Sequence, residues 1–163
     1  FLSHYATLFV CRVPSSFKES RKDHWSWDDG RDGGVLTCTT GHVNPQWSLE
    51  VHKRWPLFIT LSQGQPDEAQ GLDQCYIMLA LIPRANALDR PLLQADMEVP
   101  GFYFSGKPRK QQQISIDARS VKPGRYTLIC CTYDSYRHAN FSLSVHSTKE
   151  GSLGPLTRIY REL

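Results

Sequence analysis

The sequence has no long apolar run. Nowhere in its 163 residues is there a stretch close to the ~20 apolar residues that a membrane-spanning helix needs. The first residues, Phe1–Tyr5, lack the basic and apolar regions of a secretory signal peptide. We therefore expect a soluble protein. Because the chain starts at Phe1 without a methionine, we expect it to be a piece of a longer protein.

The chain also lacks the residue spacings that bind zinc or build a disulfide framework. Its six histidines include no His-x-His or His-x-x-x-His pair, and its five cysteines include no Cys-x-x-Cys pair. Free cysteines are usually small buried hydrophobic residues, so we expect no cofactor and a reducing compartment, the cytoplasm. The cysteines are Cys11, Cys38, Cys75, Cys130 and Cys131.

Strong charge of one sign is absent as well. The net charge of +3 at pH 7 is too small to indicate nucleic-acid binding, and we expect none. A hydrophobic content of 40%, with 11% aromatic residues, instead predicts a packed core. The length suits one domain, so we predict a single domain over residues 1–163.

What is present is a series of short runs with alternating or β-branched residues, separated by turn signals. This pattern predicts an all-β protein, an antiparallel sandwich of eight or nine strands. Residues 76–82 are almost continuously apolar, as expected of a strand buried on both faces. Residues 83–98 are the candidate for a helical turn or a long loop. The predicted strands cover residues 6–13, 35–40, 46–51, 57–63, 76–82, 102–104, 113–117, 125–132 and 140–145, and residues 156–161 are a candidate edge strand.

Four pieces of sequence follow one another in an order typical of a known family. They are Trp25 with the Asp-Gly-Gly of 32–34 and the Asn-Pro-Gln-Trp-Ser-Leu of 44–49, the run Leu57–Gln63, the run Tyr76–Ile82, and the pair 123–133 and 141–145. Over about residues 25–146 they resemble the C2-like domain, or domain III, of calpain-type cysteine proteases. The Asp-Gly-Gly and Asn-Pro-Gln-aromatic details are similar to the PalB-type calpains (calpain seven), which carry tandem C2-like domains.

The resemblance implies a C2-like sandwich that acts as a non-catalytic regulatory or docking domain of an intracellular protease. The implied partners are the protease core or a sister C2-like domain of the same chain, and endosomal-sorting scaffold proteins. The implied location is the cytoplasm, with recruitment to endosomal membranes. The motif residues also have a structural interpretation, because Gly33 and Gly34 allow a chain reversal and Gln46 and Gln63 can form hydrogen bonds at strand ends.

A cysteine and a histidine close in sequence suggest nucleophilic catalysis. Cys130, Cys131, His138 and Asn140 supply the residue types that such a site needs. Successive residues of a strand face opposite sides, so we expect one cysteine to point into the core and the other outward. The Gln-Gly-x-Cys-Trp segment that carries the nucleophile in the resembled family is absent. We therefore predict that no residue here is catalytic.

Calcium binding would need six to eight oxygen ligands. Asp67, Glu68 and Asp73 are the nearest acidic group, which we interpret as solvated surface. In the resembled family an acidic loop precedes the strand that matches Leu57–Gln63. Here that connection, residues 51–56, is short and basic. We predict no metal site.

Basic loops are the remaining candidate for function. One interpretation is a solvated surface, and the other is docking to a protein partner or to an anionic membrane, as in a phospholipid-binding C2 module. Each basic residue near an anionic leaflet contributes about 1 kcal/mol. The candidate binding residues are His52, Lys53, Arg54, Trp55, Lys107, Arg109, Lys110, Lys122 and Arg125.

Overall fold

The structure is a computed structural model that describes residues 17–26, 28–67, 69, 71–72, 74–84, 103–148 and 151–159. The predicted strand at 6–13 and most of the predicted turn or loop at 83–98 lie outside these residues. So do Cys11, Glu68 and Asp73.

The described part of the chain folds into two antiparallel sheets that form an all-β sandwich, as predicted. Its strands are β1 (Phe17–Ser26), β2 (Gln46–Val51), β3 (Trp55–Gln63), β4 (Ile77–Arg84), β5 (Tyr103–Phe104), β6 (Gln113–Val121), β7 (Gly124–Thr132), β8 (His138–Ser147) and β9 (Thr157–Ile159). The first sheet has the order β1-β8-β3-β6, and the second has the order β5-β4-β7-β2-β9.

Two elements differ from the sequence prediction. The polar stretch before Trp25 is the ten-residue strand β1, which pairs along its length with β8. Its many charged residues hide it from a search for apolar alternation, and they are tolerated because β1 is an edge strand. Residues 35–40, predicted as a strand, instead form turns that lead into the short 3-10 helix Gly41–Val43. That prediction was wrong.

The interior between the sheets is filled by side chains that alternate along the strands. In β6, for example, Ile114, Ile116 and Ala118 face inward while their neighbours are exposed. Trp25 lies 4.3 Å from the ring of Phe141, and Trp47 meets the same ring edge-on at 5.6 Å. Close aromatic contacts add to the free energy of burial, and the Trp47–Phe141 pair has the preferred edge-to-face orientation.

A second, smaller apolar cluster lies on the outer face of the second sheet. It contains Met78, Ala80, Ile82, Ile129 and Cys131, with Val35 and Leu36 packed against it. The loop that was predicted as a strand therefore covers this face. As a result β4 is buried on both sides over residues 77–82, as its continuous apolar sequence predicted.

The edges of the two sheets are joined by Arg158 of β9, the predicted edge strand. Its Nε lies 3.0 Å from Asp23 Oδ2 of β1, and its guanidinium stacks 4.4 Å from the ring centroid of Trp47. The same side chain donates a hydrogen bond of 3.0 Å to the carbonyl oxygen of Gln46. Because β1 and β9 are edge strands of different sheets, this residue closes one side of the sandwich.

None of the described residues forms a helix long and apolar enough to cross a membrane.

Candidate functional site

The sheet register brings most of the predicted basic residues to one end of the sandwich. β3 pairs Trp55 with Val121 of β6, and β2 pairs Val51 with Gly124 of β7. The β2–β3 connection and the β6–β7 turn therefore lie side by side where the chain passes from one sheet to the other. We call this surface the basic end, and its members are His52, Lys53, Arg54, Trp55, Lys122 and Arg125.

Backbone and side-chain contacts hold the basic end in place. The His52 backbone N–H donates to Ser152 O at 2.9 Å, and Gly154 N–H donates to Glu50 O at 2.8 Å. The half-buried Trp55 donates from its indole Nε1 to Thr148 Oγ1 at 2.5 Å. The other five side chains of the basic end are exposed. The result is a fixed loop platform with its charges directed to solvent.

The other three predicted basic residues lie at the opposite end. Arg109 forms an isolated antiparallel bridge with Ile77, with N–O distances of 3.0 and 3.1 Å. Ile77 begins β4, whereas the basic end lies beside the last residue of that strand, Arg84. The nine residues of β6 separate Lys110 from Lys122, a length of about 25–30 Å at the usual rise. The structure thus divides one basic stretch of sequence into two distant surfaces.

Asp32 of the Asp-Gly-Gly motif is fully buried and links two loops. Its carboxylate accepts hydrogen bonds from the Thr132 hydroxyl and, at 2.5 Å, from the Arg137 backbone N–H. The sequence interpretation assigned this motif to a turn and missed the carboxylate. The only sequence signal is an acid directly before a glycine pair, and it is weak because the burial that requires partners for the carboxylate is seen only in the structure.

Two further motif residues, Gln63 and Gln46, form hydrogen bonds at strand ends. Gln63 receives the Cys75 N–H at 2.8 Å and donates to the carbonyl oxygens of Cys75 and Gln111 at 2.9 and 2.7 Å. Gln46 donates to His42 O at 2.7 Å, which confirms the prediction of hydrogen bonds at strand ends.

Asn44, buried in the same way, accepts from Gly33 N–H at 3.1 Å and donates to Gly34 O at 2.7 Å. It also donates to Gly41 O at 2.8 Å. The most recognisable polar residues of the sequence therefore stabilise loops.

The two adjacent cysteines are both buried. Cys130 lies in the core between the sheets, and Cys131 faces the other side of its sheet, as the alternation predicted. The outward-facing Cys131 is nevertheless 0% exposed, because Val35 and Leu36 cover that side. Burial raises the pKa of both thiols well above the usual range. A thiolate, the form that attacks a substrate, is therefore disfavoured at both positions.

Neighbouring acids contact the histidines near the start of β8. His138 Nε2 lies 3.7 Å from Asp28 Oδ2, and His24 Nε2 lies 3.1 Å from Asp29 Oδ2. The hydrogen bond with His24 lowers the pKa of the Asp29 carboxyl. Among the described residues no three histidine, cysteine, aspartate or glutamate side chains are grouped so as to hold a metal ion.

Exposed tyrosines form a surface that sequence patterns did not predict. Tyr76 and Tyr133 are 48% and 55% exposed, and their ring centroids lie 6.2 Å apart. Tyr136, in the same loop as Tyr133, is 67% exposed at a positive φ of 70°. The short distance between the Tyr76 and Tyr133 rings depends on the β4–β7 register, which sequence patterns alone do not predict.

Comparison of the sequence with known proteins finds weak similarity to calpain catalytic subunits. No family model matches the chain. It is 23% identical to the human calpain-2 catalytic subunit over an alignment of 187 residues that covers 92% of this chain. The mouse calpain-2 catalytic subunit is 24% identical over the same coverage. This chain resembles part of a calpain. It spans about a quarter of the length of these relatives (25%).

Proposed function

We propose that this chain is the C2-like domain, domain III, of a calpain-type cysteine protease of the PalB type, and that it acts as a non-catalytic docking domain. The similarity to the calpain-2 catalytic subunit supports the parentage. The basic end is the single observation that carries the docking role, because the fold brings its charged side chains together on a fixed platform. The partner is the protease core, a sister C2-like domain or an endosomal-sorting scaffold protein in the cytoplasm.

The burial of both adjacent thiols supports a non-catalytic role. Cysteine catalysis needs an accessible thiolate beside a base, and Cys130 and Cys131 are each 0% exposed. We expect the purified chain to cleave no peptide substrate. In the full-length protein, a Cys131→Ala variant should keep the wild-type proteolytic activity if it folds, and loss of that activity in a folded variant would contradict the proposal.

Charge reversal at the basic end tests the docking role in the full-length protein. The double variant Lys53→Glu/Arg54→Glu should weaken association with the partner domain or scaffold at least about tenfold, measured by co-precipitation and by substrate cleavage. The matched control is Lys22→Glu/Lys107→Glu, at two exposed lysines outside the basic end, which changes the net charge by the same amount. Equal effects of the two double variants would contradict a docking role for the basic end.

A second candidate function is binding to an anionic membrane. Trp55 favours it, because an indole beside several basic residues is suited to the headgroup region of a bilayer. The half-buried indole is held by Thr148, so its ring is positioned rather than free to rotate.

Vesicle flotation separates the two candidates. Vesicles of phosphatidylcholine with phosphatidylserine should bind the chain at about 0.1 M NaCl and release it at higher salt, where screening is stronger. Lys53→Glu/Arg54→Glu should abolish this binding if lipid is the target. Absence of binding to these vesicles, with the association in the full-length protein retained, leaves the docking domain as the function.

A further inference from the structure

A cleft of 190 Å³ lies at the end of the sandwich opposite the basic end. We call it the tyrosine cleft. It is formed where the segment before β4 meets the β7–β8 loop and the segment before β6. The residues that line it are Gln74, Cys75, Tyr76, Lys110, Asp134 and Arg137.

The exposed ring of Tyr76 lines the tyrosine cleft, and the ring of Tyr133 lies beside it with 6.2 Å between the centroids. Tyr133 N–H donates to Tyr76 O at 2.8 Å, which continues the β4–β7 pairing by one residue. The two rings therefore extend the outer-face apolar cluster beyond the part that Val35 and Leu36 cover. Tyrosine rings offer a large apolar area at low entropic cost, and they are enriched among the residues that dominate binding energy.

Two cations, Lys110 and Arg137, line the cleft together with Tyr76. The flanking segments 103–112 and 133–137 contain the cations Lys107, Arg109, Lys110 and Arg137 and the single acid Asp134. Arg137 Nη2 lies 3.1 Å from Asp134 Oδ2, so one cation is partly neutralised within the cleft. The remaining charge is complementary to a carboxylate-bearing ligand.

Hydrogen bonds of two buried side chains hold the walls of the tyrosine cleft in place. The buried carboxylate of Asp32 binds the Arg137 backbone N–H and the Thr132 hydroxyl, which fixes the β7–β8 loop. Gln63 binds the carbonyl oxygens of Cys75 and Gln111 on the other side. A ligand that enters a site held in this way orders few protein groups, so less free energy is lost on binding.

We propose that the tyrosine cleft binds an acidic peptide segment of a partner protein. An apolar side chain of the peptide packs against the rings of Tyr76 and Tyr133, and carboxylates on either side of it pair with Lys110 and Arg137. The cleft is concave and of side-chain size, which fits a peptide better than the flat surface of a membrane. This site is separate from the basic end and does not depend on the proposed docking function.

A fluorescein-labelled peptide in which glutamates flank one phenylalanine is the probe. Anisotropy titration with the whole chain should show saturable binding. Lys110→Glu and Tyr133→Ala should each weaken it at least about tenfold, the loss expected when a central contact is removed. Tyr133→Phe keeps the ring and should retain most of the affinity. Lys53→Glu is the matched charge control at the basic end, and it should change the affinity less than about twofold.

Two changes to the peptide complete the test. Replacing its phenylalanine by alanine should weaken binding as much as Tyr133→Ala does. Replacing its glutamates by lysines should abolish binding. This control is demanding, because the acids Asp67, Glu68 and Asp73 precede the cleft residues 74–76 in the sequence and would favour a lysine peptide if charge alone determined binding. Failure of the acidic peptide to bind, tighter binding of the lysine peptide, or equal loss in Lys110→Glu and Lys53→Glu overturns the proposal. So does binding through Lys110 to phosphatidylserine vesicles but not to the peptide.

Discussion

Asp32 illustrates how single buried polar groups hold the loops of this sandwich. It has no exposed surface, and its two hydrogen bonds join the loop before β2 to the loop after β7. Asn44 and Gln63 do the same for two other pairs of segments. Because each of these groups satisfies backbone atoms that would otherwise be unpaired, its removal costs more than the hydrogen bonds contribute.

Replacing Asp32 by alanine should lower the free energy of unfolding by about 2–4 kcal/mol. The Thr132 hydroxyl loses its carboxylate acceptor and the Arg137 backbone N–H loses its partner in a buried setting. Urea unfolding followed by tryptophan fluorescence measures the change. Asp134→Ala, an exposed acid of the neighbouring loop, is the control and should change stability by less than about 0.5 kcal/mol. Similar losses in both variants would contradict this role of Asp32.

Alkaline pH should destabilise the protein through Cys130 and Cys131. Burial raises the pKa of both thiols in the folded state, whereas unfolded cysteines lose their protons near pH 8.5. The unfolded state therefore binds fewer protons above this pH, and the stability that is present below it is lost as pH rises. Each thiol contributes up to about 1.4 kcal/mol per pH unit. Urea unfolding between pH 7.5 and 9.5 measures the slope, which a Cys131→Ala variant should reduce.

Within the loop that follows β1, glycines determine how closely the chain can fold back. A Cβ on Gly33 would lie 1.9 Å from Thr40 O and 2.6 Å from Val43 Cγ2. This approach keeps residues 35–40 in turns and places Val35 and Leu36 over the second sheet. β1 shows the opposite case, because a charged sequence becomes a strand when an edge is available for pairing. Local propensity was therefore misleading at both elements.

Gly33→Ala should destabilise the protein by at least about 3 kcal/mol, since backbone atoms must move to admit the methyl group. Gly30→Ala in the same loop is the matched control. A Cβ there meets nothing within 4 Å, but φ is +63°, so only the left-handed strain of about 1–2 kcal/mol is expected. Thermal and urea unfolding of both variants provide the comparison. A smaller effect at Gly33 than at Gly30 would show that the loop is not closely packed.

The Arg158 contact is the element that joins the two sheet edges. Replacing Arg158 by alanine should cost about 1–3 kcal/mol, because it removes the stack on Trp47 and one of the two arginines that pair with the nearly buried Asp23 carboxylate, the other being Arg31. The control is Arg119→Ala on the exposed side of β6, with an expected change below about 0.5 kcal/mol. Equal urea midpoints for Arg158→Ala and wild type would rule out a stabilising role for this contact.

Across the whole molecule, the strands of the sandwich keep the two proposed binding surfaces apart. Loops at the basic end carry exposed cations, and the tyrosine cleft combines aromatic rings with cations at the other end. Substitutions at residues this far apart, without shared partners, have independent effects on free energy.

The C-terminal segment belongs to the same folded unit as the two sheets, because Leu153 and Leu156 enter the core between the sheets.

Truncation after Thr148 should therefore destabilise the whole sandwich rather than remove a separate tail. It deletes two buried leucines and the Arg158 contact, and each buried leucine alone contributes about 2–5 kcal/mol. We expect loss of cooperative unfolding in calorimetry. The variant Leu156→Ala, which removes one of these side chains and keeps the rest, should unfold cooperatively at a lower temperature. An unchanged calorimetric transition after truncation would contradict this prediction.

The sequence by itself determined the all-β class, the buried central strand, most strand positions and the residues that resemble a calpain domain. Apolar alternation and turn residues are local properties, so they can be recognised directly in the amino-acid sequence. Only the tertiary structure decided which loops meet, because that depends on sheet register. Register places Lys122 beside Trp55 and Tyr133 beside Tyr76 and separates Lys110 from Lys122. Tertiary packing also covers Cys131 with a loop from far away in the chain.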